Sequence, residues 1–162
     1  MTIINTKTMA RIASVQALYQ YAINGETQNP ESLISSINSY YKDSNMWEDL
    51  GEESEKSKFK INVGLLTNII KLAIEHKDSI DEIISQNLGD EWQFKNLHLT
   101  LIALLRAGIC EILYFPETPR KVVINEFTNI ASDMLKEGEI SFVNSLLDKV
   151  SMEREAILKQ SL

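Results

Sequence analysis

The side chains able to do chemistry in this 162-residue chain are few and scattered. Cys110 is the one thiol, and neither histidine has a sequence position that makes it a partner for a nucleophile. His76 and His98 lie far apart, without the cysteine or carboxylate spacing that a zinc site needs. There is no G-x-S-x-G elbow and no glycine-rich phosphate loop. Acidic pairs such as Glu52 and Glu53 stand in a polar stretch, where solvated charge is the default. Residue types and spacing therefore support no catalytic centre and no metal site. They lead to a helical binding module.

Charge narrows the reading. The net charge of -7 favours solubility and by itself weighs against nucleic acid as a partner. Its distribution is uneven, however. Lys7 and Arg11 precede the first acid, Glu26, so the chain begins with a small basic end. Glu48, Asp49, Glu52, Glu53 and Glu55 make a strongly acidic segment. A single cysteine excludes an internal disulfide and fits a reducing compartment. Residues 1–9 give no continuous apolar run of the signal-peptide kind. The expected location is the cytoplasm, with no membrane partner.

The elements that must position these residues are helices. Gly and Pro number only 6 and 3, and apolar residues recur at helical spacing. The strongest stretch is Leu97 to Phe115, apolar on nearly every side of a helical projection and closed by Pro116. A helix apolar all round is a buried one, and Arg106 and Glu111 in its middle argue against a bilayer span. Around it the pattern predicts an arm over residues 1–8 and a helix from Ala10 to Asn24 stopped by Asn24-Gly25. A second helix begins at Asn29-Pro30. Residues 42–57 read as an acidic loop with Met46 and Trp47 tucked inward. Helices follow over 58–76, with Gly64 permitting close contact, and from an Asp78 cap to Leu88. Trp92 and Phe94 anchor a connector. Thr118-Pro119 opens a helix running to Met134, Lys136–Glu139 forms a turn, and the last main helix carries Phe142 to Val150. Residues 151–162 read as its frayed end. The expected fold is all-α, about seven helices around a buried central one.

Four stretches carry a resemblance. They are Ala10-Arg11 followed by Val15-Gln16-Ala17-Leu18-Tyr19; Leu105-Arg106 with Glu111; Pro119 with Lys121-Val122-Val123-Ile124-Asn125-Glu126; and Phe142-Val143-Asn144 with Leu146-Leu147-Asp148-Lys149. In this order and spacing the chain resembles the NusB family of transcription antitermination factors. The resemblance implies a single NusB-like domain over 1–162, with an N-terminal helical subdomain (about 1–89) and a C-terminal one (about 90–162). It implies no catalytic activity and no cofactor. It implies binding to boxA-type single-stranded RNA with a ribosomal protein, NusE, in a complex acting on RNA polymerase in ribosomal-RNA operons. Homodimers occur in the family and would cover the RNA face.

The resemblance also distributes roles. Lys7 and Arg11 stand in place of the family's arginine-rich RNA-binding arm, which is thinned here. Phe142 matches an aromatic that meets RNA, the alternative being a core position beside Val143, Leu146 and Leu147. Asn144 offers amide donors and an acceptor to a base edge. Tyr19 faces RNA or the ribosomal protein, or is simply half-buried. Arg106, Glu111, Asn125, Glu126 and Asp148 read as structural polar anchors, with Arg106 tied to Glu126 or Asp148. Ser145 departs from the family's frequent glycine. Two other classes stay open: a protein-binding adaptor without RNA contact, and the RNA-binding front domain of a ribosomal-RNA methyltransferase.

Overall fold

The computed structural model describes residues 5–43, 61–90 and 92–160. These form eight α-helices and one 3-10 turn: α1 (Thr6–Ile23), α2 (Pro30–Asp43), α3 (Val63–Glu75), α4 (Lys77–Gln86), the turn Phe94–Asn96, α5 (Leu99–Tyr114), α6 (Arg120–Met134), α7 (Glu137–Met152) and α8 (Arg154–Gln160). No strand occurs among the described residues. The predicted acidic loop over 42–57 falls almost wholly outside them, as do Phe59 and the side chains of Lys42 and Asp43.

The helices start where short polar side chains can accept a free backbone N–H. Asn5 accepts from Lys7 (2.7 Å), Asn29 from Ser32 (2.7 Å) and Asn62 from Leu65 (2.9 Å). Asn5 thereby pulls the predicted arm into α1, which begins at Thr6 instead of Ala10. Gly25 ends α1 with φ +80°, and Glu26 follows with φ +61°. Only glycine takes such a φ freely, so Glu26 is held there by its side-chain contacts. Asp78 does not cap α4; the helix already starts at Lys77. The predicted Lys136–Glu139 turn is largely absorbed into α7, where the Lys136 N–H donates to Glu139 (3.1 Å). The frayed end becomes a separate helix, α8, whose Arg154 donates to the Ile112 and Leu113 carbonyls at the end of α5 (3.0 and 3.1 Å).

Every residue of α5 from Leu101 to Leu113 is buried. The larger hydrophobic cluster gathers α5 with the inner faces of α4, α6 and α7 and with Val15, Leu18, Ile69 and Ala73. A smaller one joins Ala10, Ala13, Ala17 and Tyr21 to Leu33, Ile37, Leu66 and Ile70. Helices α1 and α3 thus serve both clusters from adjacent faces. The close helix contact expected at Gly64 lies instead at Gly108, where an added Cβ would stand 3.1 Å from Leu147 and 3.4 Å from Phe127. At Gly64 the nearest atom is Asn62 Oδ1, at 3.5 Å.

Candidate nucleic-acid interface

Arg11 is not on the surface. Its side chain is 2% exposed, and its Nε and Nη2 donate to both carboxylate oxygens of Glu111 at 2.8 and 2.7 Å. Its Nη1 donates to Glu126 at 2.8 Å, and the Thr8 hydroxyl donates to the same oxygen at 2.7 Å. Burial opposes the guanidinium charge, but the hydrogen bonds and charge of Glu111, then of Glu126, outweigh it and hold the pKa above its ordinary value. The expectation that Arg11 reaches RNA is therefore corrected. With three of its five donors on two carboxylates and its side chain buried, the fork is not presented to a phosphate. Arg11 binds α1 to α5 and α6.

Arg106 also receives different partners from those expected. It makes a two-bond contact to Asp81 (2.9 and 2.8 Å) and an ion pair with Glu26 at 2.7 Å. Burial works against its charge, and Asp81 and then Glu26 overcome it, raising the pKa. Glu126 belongs to Arg11, and Asp148 is exposed. Asn125 is exposed too, and neither it nor Asp148 has a polar side-chain partner among the described residues. Both are surface groups instead of buried anchors. The reason is helical phase. Asn125 and Asp148 lie on the outer faces of α6 and α7, whose inner faces carry Val123, Phe127, Val143 and Leu147.

The remaining residues assemble a surface. Lys7 is exposed on the first turn of α1, beside Thr8 and hence close to α6. Along α1, Tyr19 is 38% exposed and lines a cleft with Val15, Gln16, Thr100 and Met134. Thr100 belongs to the first turn of α5. On the other side of that turn, His98 Nδ1 lies 3.3 Å from Glu139 of α7, and a second cleft runs from His98 to Trp92. Trp92 in turn meets half-buried Phe142, ring centroids 5.9 Å apart and planes tilted by 46°. Asn144 is exposed one turn from Phe142, with the Thr128 hydroxyl 3.5 Å from its amide oxygen. The start of α5 thus stands between Tyr19 and the Phe142 ring, which are far apart in sequence. Lys7 lies about three helical turns away along α1.

Electrostatically this surface is mild. The first turn of α5 carries no acid of its own and no side-chain cap, and the nearby carboxylate is that of Glu139, beside the N-cap residue His98. Trp92, expected as an anchor of the connector, is 42% exposed. His98, Glu139 and Thr8 have no role assigned by their place in the sequence. No local signal marks them, because each acquires its neighbour across more than one helix. Cys110 is fully buried and its thiol is pushed up by that burial and by neighbouring Glu111, which leaves it no role as a nucleophile. Among the described residues no group of three or more His, Cys, Asp and Glu side chains is placed to hold a metal, and no helix is long and apolar enough to cross a membrane.

Comparison with known proteins agrees with this architecture. The NusB family profile matches residues 8–152. A protein of Rickettsia bellii (strain OSU 85-389) named transcription antitermination protein NusB is 41% identical over 152 residues, covering 94% of each chain. Its namesake in Rickettsia rickettsii (strain Sheila Smith) is 40% identical over 155 residues, covering 96% of this chain and 97% of its own. The solved structure of T. maritima NusB superposes with a TM-score of 0.68 at 22% identity, over 96% of this chain and 99% of that one. It shares the fold. The chain belongs to the NusB family.

Proposed function

We propose that this NusB-family chain is an RNA-binding transcription antitermination factor. It recognises boxA-type single-stranded RNA together with ribosomal protein NusE and acts within an RNA polymerase antitermination complex on ribosomal-RNA operons in the cytoplasm. The observation that carries the reading is the gathering of Tyr19, Phe142 and Asn144, with Trp92, around the exposed start of α5. Aromatic rings accept unstacked bases, and amides read their edges. The antitermination role is further supported by the names and near-complete coverage of the Rickettsia relatives.

RNA binding of this kind leans on stacking and on the protein partner more than on charge. Of the two basic residues at the start, only Lys7 is free to meet a phosphate. A single phosphate contact gives a salt slope of about -0.7 for a single strand, half the value that two would give. The burial of Arg11 also favours a second reading, an adaptor that binds protein and not RNA. One titration separates the two. Fluorescein-labelled boxA-type RNA is titrated with the protein, with and without NusE, over a range of salt. The first reading expects saturable binding that tightens with NusE and a shallow slope that Lys7→Ala flattens by about 0.7. No binding in either case would leave only the adaptor.

A further inference from the structure

Trp92 is the least explained large side chain in the described structure. It is an indole left 42% exposed, outside both hydrophobic clusters, yet it is not loose. Its backbone N–H donates to the Gly89 carbonyl at 3.0 Å, and its ring leans on Phe142. The 46° tilt between the rings opens a wedge instead of closing a stack. That wedge is one wall of a cleft of about 420 Å³ completed by Asn87, Gly89, Asp90 and Gly138. This is within the size range of small-ligand sites.

We propose that this cleft takes one unstacked base of a bound RNA strand, with Trp92 as its stacking face, and that it favours a base carrying an exocyclic amino group. The inference rests on the RNA reading above and adds to it a base position and a preference. The lining decides the class of ligand. Among the described residues no cation lines the cleft and one carboxylate, Asp90, does, so a phosphate is repelled while a neutral aromatic ring is not. Carboxylates accept from amino groups such as N4 of cytosine, and uracil has none to give. Asn87 spends an amide N–H on the Ile83 carbonyl at 2.8 Å, which fixes the side chain at the rim. The two glycines keep that side of the cleft low, so a flat ring can slide against Trp92.

The test uses the full chain with Trp47→Phe, which leaves Trp92 as the sole tryptophan. Oligoadenylate, oligocytidylate, oligouridylate and boxA-type RNA are titrated in the presence of NusE, following both RNA anisotropy and Trp92 emission. The expected result is quenching that saturates with the anisotropy. Trp92→Leu should weaken binding roughly 5- to 150-fold, the range that loss of one base–aromatic stack brings, and Trp92→Phe should restore most of it. Asp90→Asn should narrow the advantage of oligoadenylate and oligocytidylate over oligouridylate. Binding with unchanged Trp92 emission would overturn the inference and leave the antitermination reading intact. That result needs no variant beyond Trp47→Phe, and the RNA binding seen by anisotropy shows that this chain is folded. An equal effect of Asp90→Asn on all three homopolymers would overturn the amino preference. No binding of any RNA would overturn both readings together.

Discussion

Two arginines tie the central helix to its surroundings with the same chemistry and different depths. Arg11 reaches Glu111, which is 0% exposed, and Glu126, which is 24% exposed. Arg106 reaches Asp81 at 19% and Glu26 at 30%. Both guanidiniums are buried, so the contrast lies in the carboxylates. If Arg11 is lost, Glu111 is left as a bare charge among apolar side chains. If Arg106 is lost, its partners turn to water. The first clamp joins the N-terminal helix to α5 and α6, while the second pins the α1–α2 turn and α4. A charge pair thus holds a fold most firmly where the partner left behind has nowhere to go.

The largest effect follows at Arg11. Arg11→Ala should cost about 3–5 kcal/mol, the range for breaking a buried pair, read as a fall in the urea midpoint. A smaller loss than that of Arg106→Ala would reverse the comparison. For Arg106→Ala the loss should be about 1–3 kcal/mol, since its carboxylates can be rehydrated. This smaller loss should also shrink in 1 M NaCl, where the Debye length is about 3 Å, while the loss at Arg11 persists.

Gly108 lies on α5 between Arg106 and Glu111, the members that this helix gives to the two clamps. Gly108→Ala would press on Leu147 and Phe127. Overpacking costs about 1–3 kcal/mol, but the pressed atoms of Leu147 are the ends of a flexible side chain, and alanine recovers up to about 1 kcal/mol of helix propensity. The net loss should fall below that of either arginine, and thermal melts would rank the three.

The smallest effect is on the pH axis. Burial, then the charge of Glu111, raises the Cys110 pKa above its ordinary 9.0. The unfolded thiol therefore ionises first. This contribution is whole below pH 9 and is lost as pH rises beyond it. The raised Tyr41 and Tyr114 begin to matter only above their ordinary 10.0. Both arginines keep their charge throughout, so a decline in stability between pH 9 and 10 belongs to the thiol. Urea titrations of Cys110→Ala should be flat across that interval. A decline that survives the substitution would point instead to Tyr41, Tyr114 and Lys77.

Much of the fold was legible from spacing. The all-round apolar pattern from Leu97 to Phe115 pointed to the buried helix, now Leu99–Tyr114, and Asn29-Pro30 marked a helix start correctly. The boundaries that moved did so for local polar reasons. Asn5 extends α1 forward, and Glu139 draws the Lys136 turn into α7. The candidate site was less legible. The resemblance places Arg11 in an RNA-binding arm, and its charge agrees with a surface position. Only the packing of α5 and α6 against α1 reveals two carboxylates waiting for it. Trp92 is the opposite case, a residue whose type says core and whose place in the fold leaves it open.

By itself the sequence determined the helical class, the central helix, the family and the lack of a recognisable catalytic motif. These depend on period, composition and ordered motifs, all properties that run along the chain. Tertiary structure alone decided which charges pair, which aromatic rings stay exposed and which residues meet at the start of α5. Those are distances between helices far apart in sequence, as between Arg11 and Glu111 or Trp92 and Phe142. No one-dimensional pattern carries them, because burial is set jointly by every helix that packs against the site.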